Sequence, residues 1–122
     1  MNYTSVLSIL CGIALALSIA NAESPKSEEV SREMQKRLQA VEEIIGTLRT
    51  GDFDAARGIA MDRLPLPQDL PLPEGTTAAA GTFHMSIDQF IATLQQRNMQ
   101  ESITALTKVL QNCTTCHAQV KR

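Results

Sequence analysis

Apolar positions recur along the chain at helical spacing. Val30, Met34, Leu38, Val41, Ile45 and Leu48 alternate steps of four and three, which predicts an amphipathic first helix. Ser24-Pro25 suits its start, since proline in the first turn gives up no helical hydrogen bond. Gly51 supplies a left-handed stop, and Asp52 caps a short second helix with Phe53, Ala56, Ile59 and Ala60 on one face. Pro65, Pro67, Pro71 and Pro73 then forbid helix and ladder alike, predicting an extended connection to about Gly81 whose leucines lie against the bundle. Ser86 and Gln89 read as a capping box opening a third helix with Ile87, Phe90, Ile91 and Leu94 inward. Asn98 with Glu101 opens a fourth, whose seam is Ile103, Leu106, Leu110, Cys113, His117 and Val120. Four helices, with short first and third turns and a longer middle connection, predict an all-α, up-down-up-down four-helix bundle.

Ahead of this pattern, Val6 to Ile19 form an apolar run ending in Ala20-Asn21-Ala22, which reads as an export signal with a small-residue cleavage site. The run is shorter than the roughly 20 apolar residues that span a membrane. Residues 1–22 are therefore expected to be removed, Cys11 with them, leaving 23–122 as one domain with no stable membrane insertion; since the first five residues carry no Lys or Arg, a retained N-terminal anchor is the alternative. So short a domain buries a modest fraction of its surface. It has no Trp, three Phe, and one Tyr that falls in the signal, so a buried flat group would fill the volume aromatic side chains usually fill. The formal net charge of −2 and the absence of a basic cluster argue against nucleic acid as a partner.

The chemistry concentrates in Cys113-Thr114-Thr115-Cys116-His117. C-x-x-C-H is the attachment pattern for a single covalent haem c. Each thiol adds to one porphyrin vinyl group, and the adjacent imidazole is delivered to the iron, making His117 the proximal ligand. Three other readings compete. A Cys113–Cys116 disulfide suits an oxidising compartment. A thioredoxin-like redox pair lacks its βαβ pattern. Zinc needs four protein ligands, and only Cys113, Cys116, His117 and His84 are available.

On these residues the chain resembles the class II c-type cytochromes, the cytochromes c-prime and their low-spin relatives. The resemblance rests on the C-terminal motif, the amphipathic helix before it, the basic Lys121 after it, and the Gly51-Asp52-Phe53 turn. It covers the last forty or so residues well and the rest loosely, and Val120 stands where the family carries an aromatic residue. It implies a four-helix bundle with haem near one end, a periplasmic location, and either electron carriage between redox partner proteins or binding of a small gas. Members often pair through their first two helices, which implies a homodimer.

The opposite face of the iron separates those functions. In an up-down-up-down bundle the first and third turns share one end, and heights follow at about 1.5 Å per residue. His117 comes out about 27 Å below the third turn and Met34 about 25 Å below the first, nearly level. Low-spin members of the resembled family take a Met from this helix, so Met34 is the expected sixth ligand, with simple core packing as its bland alternative. His84, at about 21 Å, is second choice and otherwise a solvated loop residue; Met61, at about 15 Å, is too high. If neither binds, the iron is open to NO or CO. Arg32, Lys36, Arg63, Lys121 and Arg122 fall near the haem end, as propionate partners or as exposed charges worth little. The leading expectation is one-electron transfer without an enzymatic reaction. Peroxide chemistry would need an acid/base, for which His84 is the candidate, and a thiol oxidoreductase would need Cys113 and Cys116 free.

Overall fold

The structure, a computed structural model, describes residues 25–120, and the expected signal, Cys11, Lys121 and Arg122 lie outside them. Four helices follow one another: α1 Pro25–Arg49, α2 Phe53–Arg63, α3 Thr77–Gln95 and α4 Met99–Val120. They form the expected all-α, up-down-up-down bundle, and among the described residues none is long and apolar enough to cross a membrane.

The turns show why the chain reverses where it does. Gly51 has φ +74°, its N–H donates to Leu48 O at 3.0 Å, and Asp52 N–H donates to Thr47 O at 2.9 Å. This paired closure of the last turn of α1 needs a left-handed residue at its centre, which glycine adopts without steric penalty. Asp52 then caps α2, its Oδ1 accepting from Ala55 N–H at 3.0 Å. Asn98 does the same for α4, with Glu101 N–H 3.0 Å from its Oδ1. Arg97, at φ 56°, lies over the Phe53 ring at 5.7 Å and reaches Asp54 at 3.2 Å, which puts the first and third turns at one end of the bundle.

The third helix begins earlier than its capping signal predicted. It starts at Thr77, because Ala78, Ala79 and Ala80 are strong helix formers once the proline run has ended. Ser86 lies buried in mid-helix with its hydroxyl donating to Phe83 O at 2.6 Å, and is no cap. The extended connection is therefore confined to 64–76. Its leucines do line the bundle: Leu64 and Leu70 are buried, Leu66 and Leu72 half-buried.

The core also corrects two seams. On α1 the buried face is Arg37, Ala40, Val41, Ile44 and Leu48, while Leu38 is 60% and Ile45 42% exposed. On α4 Ser102, Leu106 and Val109 are inside, while Ile103 and Leu110 are exposed. Each helix is rotated from the purely apolar reading because a polar residue, Arg37 or Ser102, occupies an inward position. On α2, Ala56 and Ala60 are fully buried as expected, small residues against which Phe90, Ile87 and Leu94 of α3 join the same core.

Adjacent isoleucines test this rotation. Ile44→Ala should lower the unfolding free energy by about 2–5 kcal/mol, the usual cost of a truncation in a closed core. Ile45→Ala should cost under about 1 kcal/mol, as at an exposed site. Urea unfolding measures both, and comparable losses would place the α1 face elsewhere.

Candidate functional site

At the end of the bundle away from the two short turns, α1 and α4 flank a cleft of about 380 Å³. Met34, Leu38 and Val41 line it from α1, and Val109, Leu110, Cys113 and His117 from α4. Leu64 and Phe83 complete the wall from the proline-rich connection and from α3. Leu38 and Leu110, exposed relative to the core, both border this space, so their apolar side chains have a place in the architecture. The structure thus brings Met34, Cys113 and His117 to one cavity from opposite sides of the chain.

Helix α4 runs unbroken through the C-x-x-C-H segment, so Cys113 and Cys116 are one turn apart and His117 is one turn on from Cys113. Both cysteines are half-buried free thiols. Burial pushes the Cys113 thiol upward, with the neighbouring Cys116 adding to the effect, and burial alone does the same to Cys116. Raised thiol pKa values leave little thiolate at neutral pH, the opposite of what a nucleophilic redox pair needs. Among the described residues there is no strand, and no three His, Cys, Asp or Glu side chains gather as a metal site. The donors needed for zinc do not come together there.

His84 lies in α3, half-buried, and is neither a loop residue nor solvated on both nitrogens. Its Nδ1 is 2.9 Å from Ala80 O, and its Nε2 accepts from Leu66 N–H at 3.1 Å. Both ring nitrogens are engaged in these contacts and His84 does not line the cleft, so it is placed neither as an iron ligand nor as an acid/base for chemistry there. Met61 is exposed on α2 and does not line the cleft.

Arg37 is the residue that sequence reasoning missed. It is 8% exposed and lines the cleft. Nη1 donates to Glu33 Oε2 at 2.5 Å and to Glu33 O at 2.6 Å, and Nη2 donates to Pro65 O at 2.5 Å. Its Nε is buried without a partner, a donor at the wall of an apolar cleft that suits a carboxylate. The signal was present as Glu33 and Arg37 at i and i+4, with Arg37 three residues from Met34 on the same helix face. Hydrogen bonds from Lys36 and then Arg37 hold the Glu33 carboxyl below the usual carboxylate range. Of the basic residues picked out earlier, Lys36 pairs with Glu33 at 2.7 Å and Arg63 with Glu43 at 2.5 Å, while Arg32 is exposed.

The donor set suits a flat apolar ring carrying acidic side groups. It combines the Cys113 thiol and a helix-borne imidazole, a thioether across the cleft, aliphatic and phenyl walls, and a buried guanidinium N–H, while Cys116 follows on the same helix without lining the cleft. A larger groove of about 540 Å³ between α3 and α4, lined by Gln89, Thr93, Glu101, Thr104 and Lys108, is polar and open and offers no such combination. No protein-family model, curated protein or solved structure matches the chain.

Replacing Arg37 by Met should lower the urea midpoint at neutral pH. A carboxylate with a depressed folded-state pKa stabilises the fold above its unfolded value, and that contribution is lost as pH falls through the folded one. The gap between wild type and Arg37→Met should therefore narrow in acid below the ordinary carboxylate range. Urea titrations over that interval check it; a gap that stays constant would show that the Glu33 pair contributes nothing.

Proposed function

We propose that the protein is an exported, periplasmic c-type cytochrome that carries one electron on a single covalent haem c. The observation that carries this reading is the convergence of His117 and Met34 on one apolar cleft beside Cys113. Cys113 and Cys116 would hold the ring through thioether bonds, His117 would be the proximal ligand, and Met34 would be the sixth. When bound, the group supplies a ferrous/ferric couple, so no substrate is transformed and the partners are other redox proteins.

The chain's own residues then do three things. Leu38, Val41, Leu64, Phe83 and Leu110 line the cleft and would keep water from a bound ring, lowering the local dielectric. Arg37, fixed by Glu33 and Pro65, presents a positive charge and a free Nε donor toward an acidic side group. Cys113 and Cys116 would each supply an S–H that adds across one vinyl group of the ring, with no leaving group. This set resembles that of the class II c-type cytochromes, and the four-helix bundle is consistent with that family without being specific to it.

A second reading keeps the haem and leaves the iron five-coordinate, binding NO or CO as cytochromes c-prime do. It is favoured if the Met34 thioether, half-buried at the cleft, only packs. Absorption spectra of the oxidised and reduced protein, made with haem-attachment machinery, separate the two. Met34 ligation predicts a sharp low-spin spectrum with the weak charge-transfer band of sulfur-bound ferric haem, abolished in Met34→Ala. Carbon monoxide should then bind the reduced wild type slowly and the variant readily. A broad high-spin spectrum with immediate saturation at low gas would move the function to gas binding.

A further inference from the structure

The peptide unit between Pro65 and Leu66 is held at both of its polar ends. Its carbonyl oxygen accepts from Arg37 Nη2 on α1 at 2.5 Å, and its N–H donates to His84 Nε2 on α3 at 3.1 Å. Ala80 O, which can only accept, lies 2.9 Å from His84 Nδ1. That pairing puts the ring proton on Nδ1 and leaves Nε2 as a lone pair, so the contact to Leu66 exists only in the neutral imidazole. A proton taken from solvent adds to the one nitrogen that holds the connection.

Once protonated, both ring nitrogens are donors, and Nε2–H meets Leu66 N–H head on. The other end of that peptide unit offers no relief, because the Pro65 carbonyl is already bound by Arg37. Arg37 also leaves a fixed positive charge on the far side of the same peptide. The ionisable groups around the site are few. On α3 Asp88 is one turn on and exposed; on α1 Glu33 is bound to Lys36 and Arg37; Arg63, at the end of α2, is paired with Glu43. On α4 the uncharged Asn112 lies 3.5 Å from Thr82 O, and the titratable Cys113 and His117 share the cleft with Phe83 and Leu64. Among the described residues no ion pair joins a carboxylate to His84, so the repulsion at Leu66 is not offset by a salt bridge.

Leu64 and Phe83 are the immediate neighbours of this contact, one residue before Pro65 and one before His84, and both line the cleft. The Phe83 ring also stands edge-on to the imidazole at 5.8 Å. We propose that His84 is an acid-operated latch: in its neutral form it fastens the 64–76 connection across the cleft wall, and its protonation releases the connection from α3 and admits solvent beside Leu64. The latch does not depend on what the cleft holds.

Hydrogen–deuterium exchange of the whole exported protein, read by mass spectrometry from about pH 8 to about pH 4 and corrected for intrinsic exchange, tests it. Exchange of the His84 ring Cε1 hydrogen in the same samples gives the imidazole's own titration. Amide protection across 64–72 should fall about tenfold, one hydrogen bond's worth, in step with that titration, while core amides around Ile44 and Ala60 stay protected. His84→Gln, whose amide oxygen can accept without titrating, should hold protection level over the same range. Protection that ignores the imidazole's titration, falls together with the core, or falls equally in His84→Gln would overturn the latch. The wild-type coincidence decides the matter even if the variant folds poorly, and neither result alters the haem reading.

Discussion

A guanidinium buried in the wall of an apolar cleft is costly unless its donors are engaged, and the functional end of this bundle is arranged around meeting that demand at Arg37. Glu33 takes one arm and the Pro65 carbonyl the other. The second bond is the consequential one, because it ties the start of the proline-rich connection to α1 just beyond Leu64. Prolines cannot hold the connection by their own backbone donors, so its position falls to side chains reaching in from both flanks, Arg37 and His84. Leu64, fully buried in the core, is thus flanked by a polar contact that fixes the next residue of the connection.

Across the cleft, α4 solves a different problem. Its C-x-x-C-H segment has to stay helical to keep Cys113 and His117 on one side, yet the helix must not close against α1. Leu38 and Leu110, too exposed to be core, mark where the two helices stand apart. At the opposite end the bundle is closed by the capped turns and by Arg97 over Phe53. The bundle is thus closed by capped turns at one end and opens in an apolar cleft at the other, which is where the proposed ring would sit.

Much of this was legible in the residues. The Gly51-Asp52 stop and cap, the Asn98 cap and the small buried face of α2 are local signals, and local hydrogen bonding realises them directly. The one-turn spacing of Cys113, Cys116 and His117 along α4 is equally local. The faces of α1 and α4 were not, because a pattern of apolar residues cannot show that Arg37 and Ser102 turn inward; that depends on partners far along the chain, Pro65 for the arginine. The start of α3 was hidden for a similar reason, since Ser86 and Gln89 imitate a cap while the alanines before them carry no periodic mark. His84 read as a loop residue until the neighbouring helix turn and Leu66 supplied its two partners.

The central claim is that the cleft holds a ring bonded to this chain through Cys113 and Cys116. Mass spectrometry of the peptide spanning those residues, from protein exported alongside haem-attachment machinery, tests it most directly. The account predicts a peptide heavier by one haem, with no thiol left to alkylate. A peptide of unmodified mass, its two cysteines open to alkylation after reduction, would contradict it.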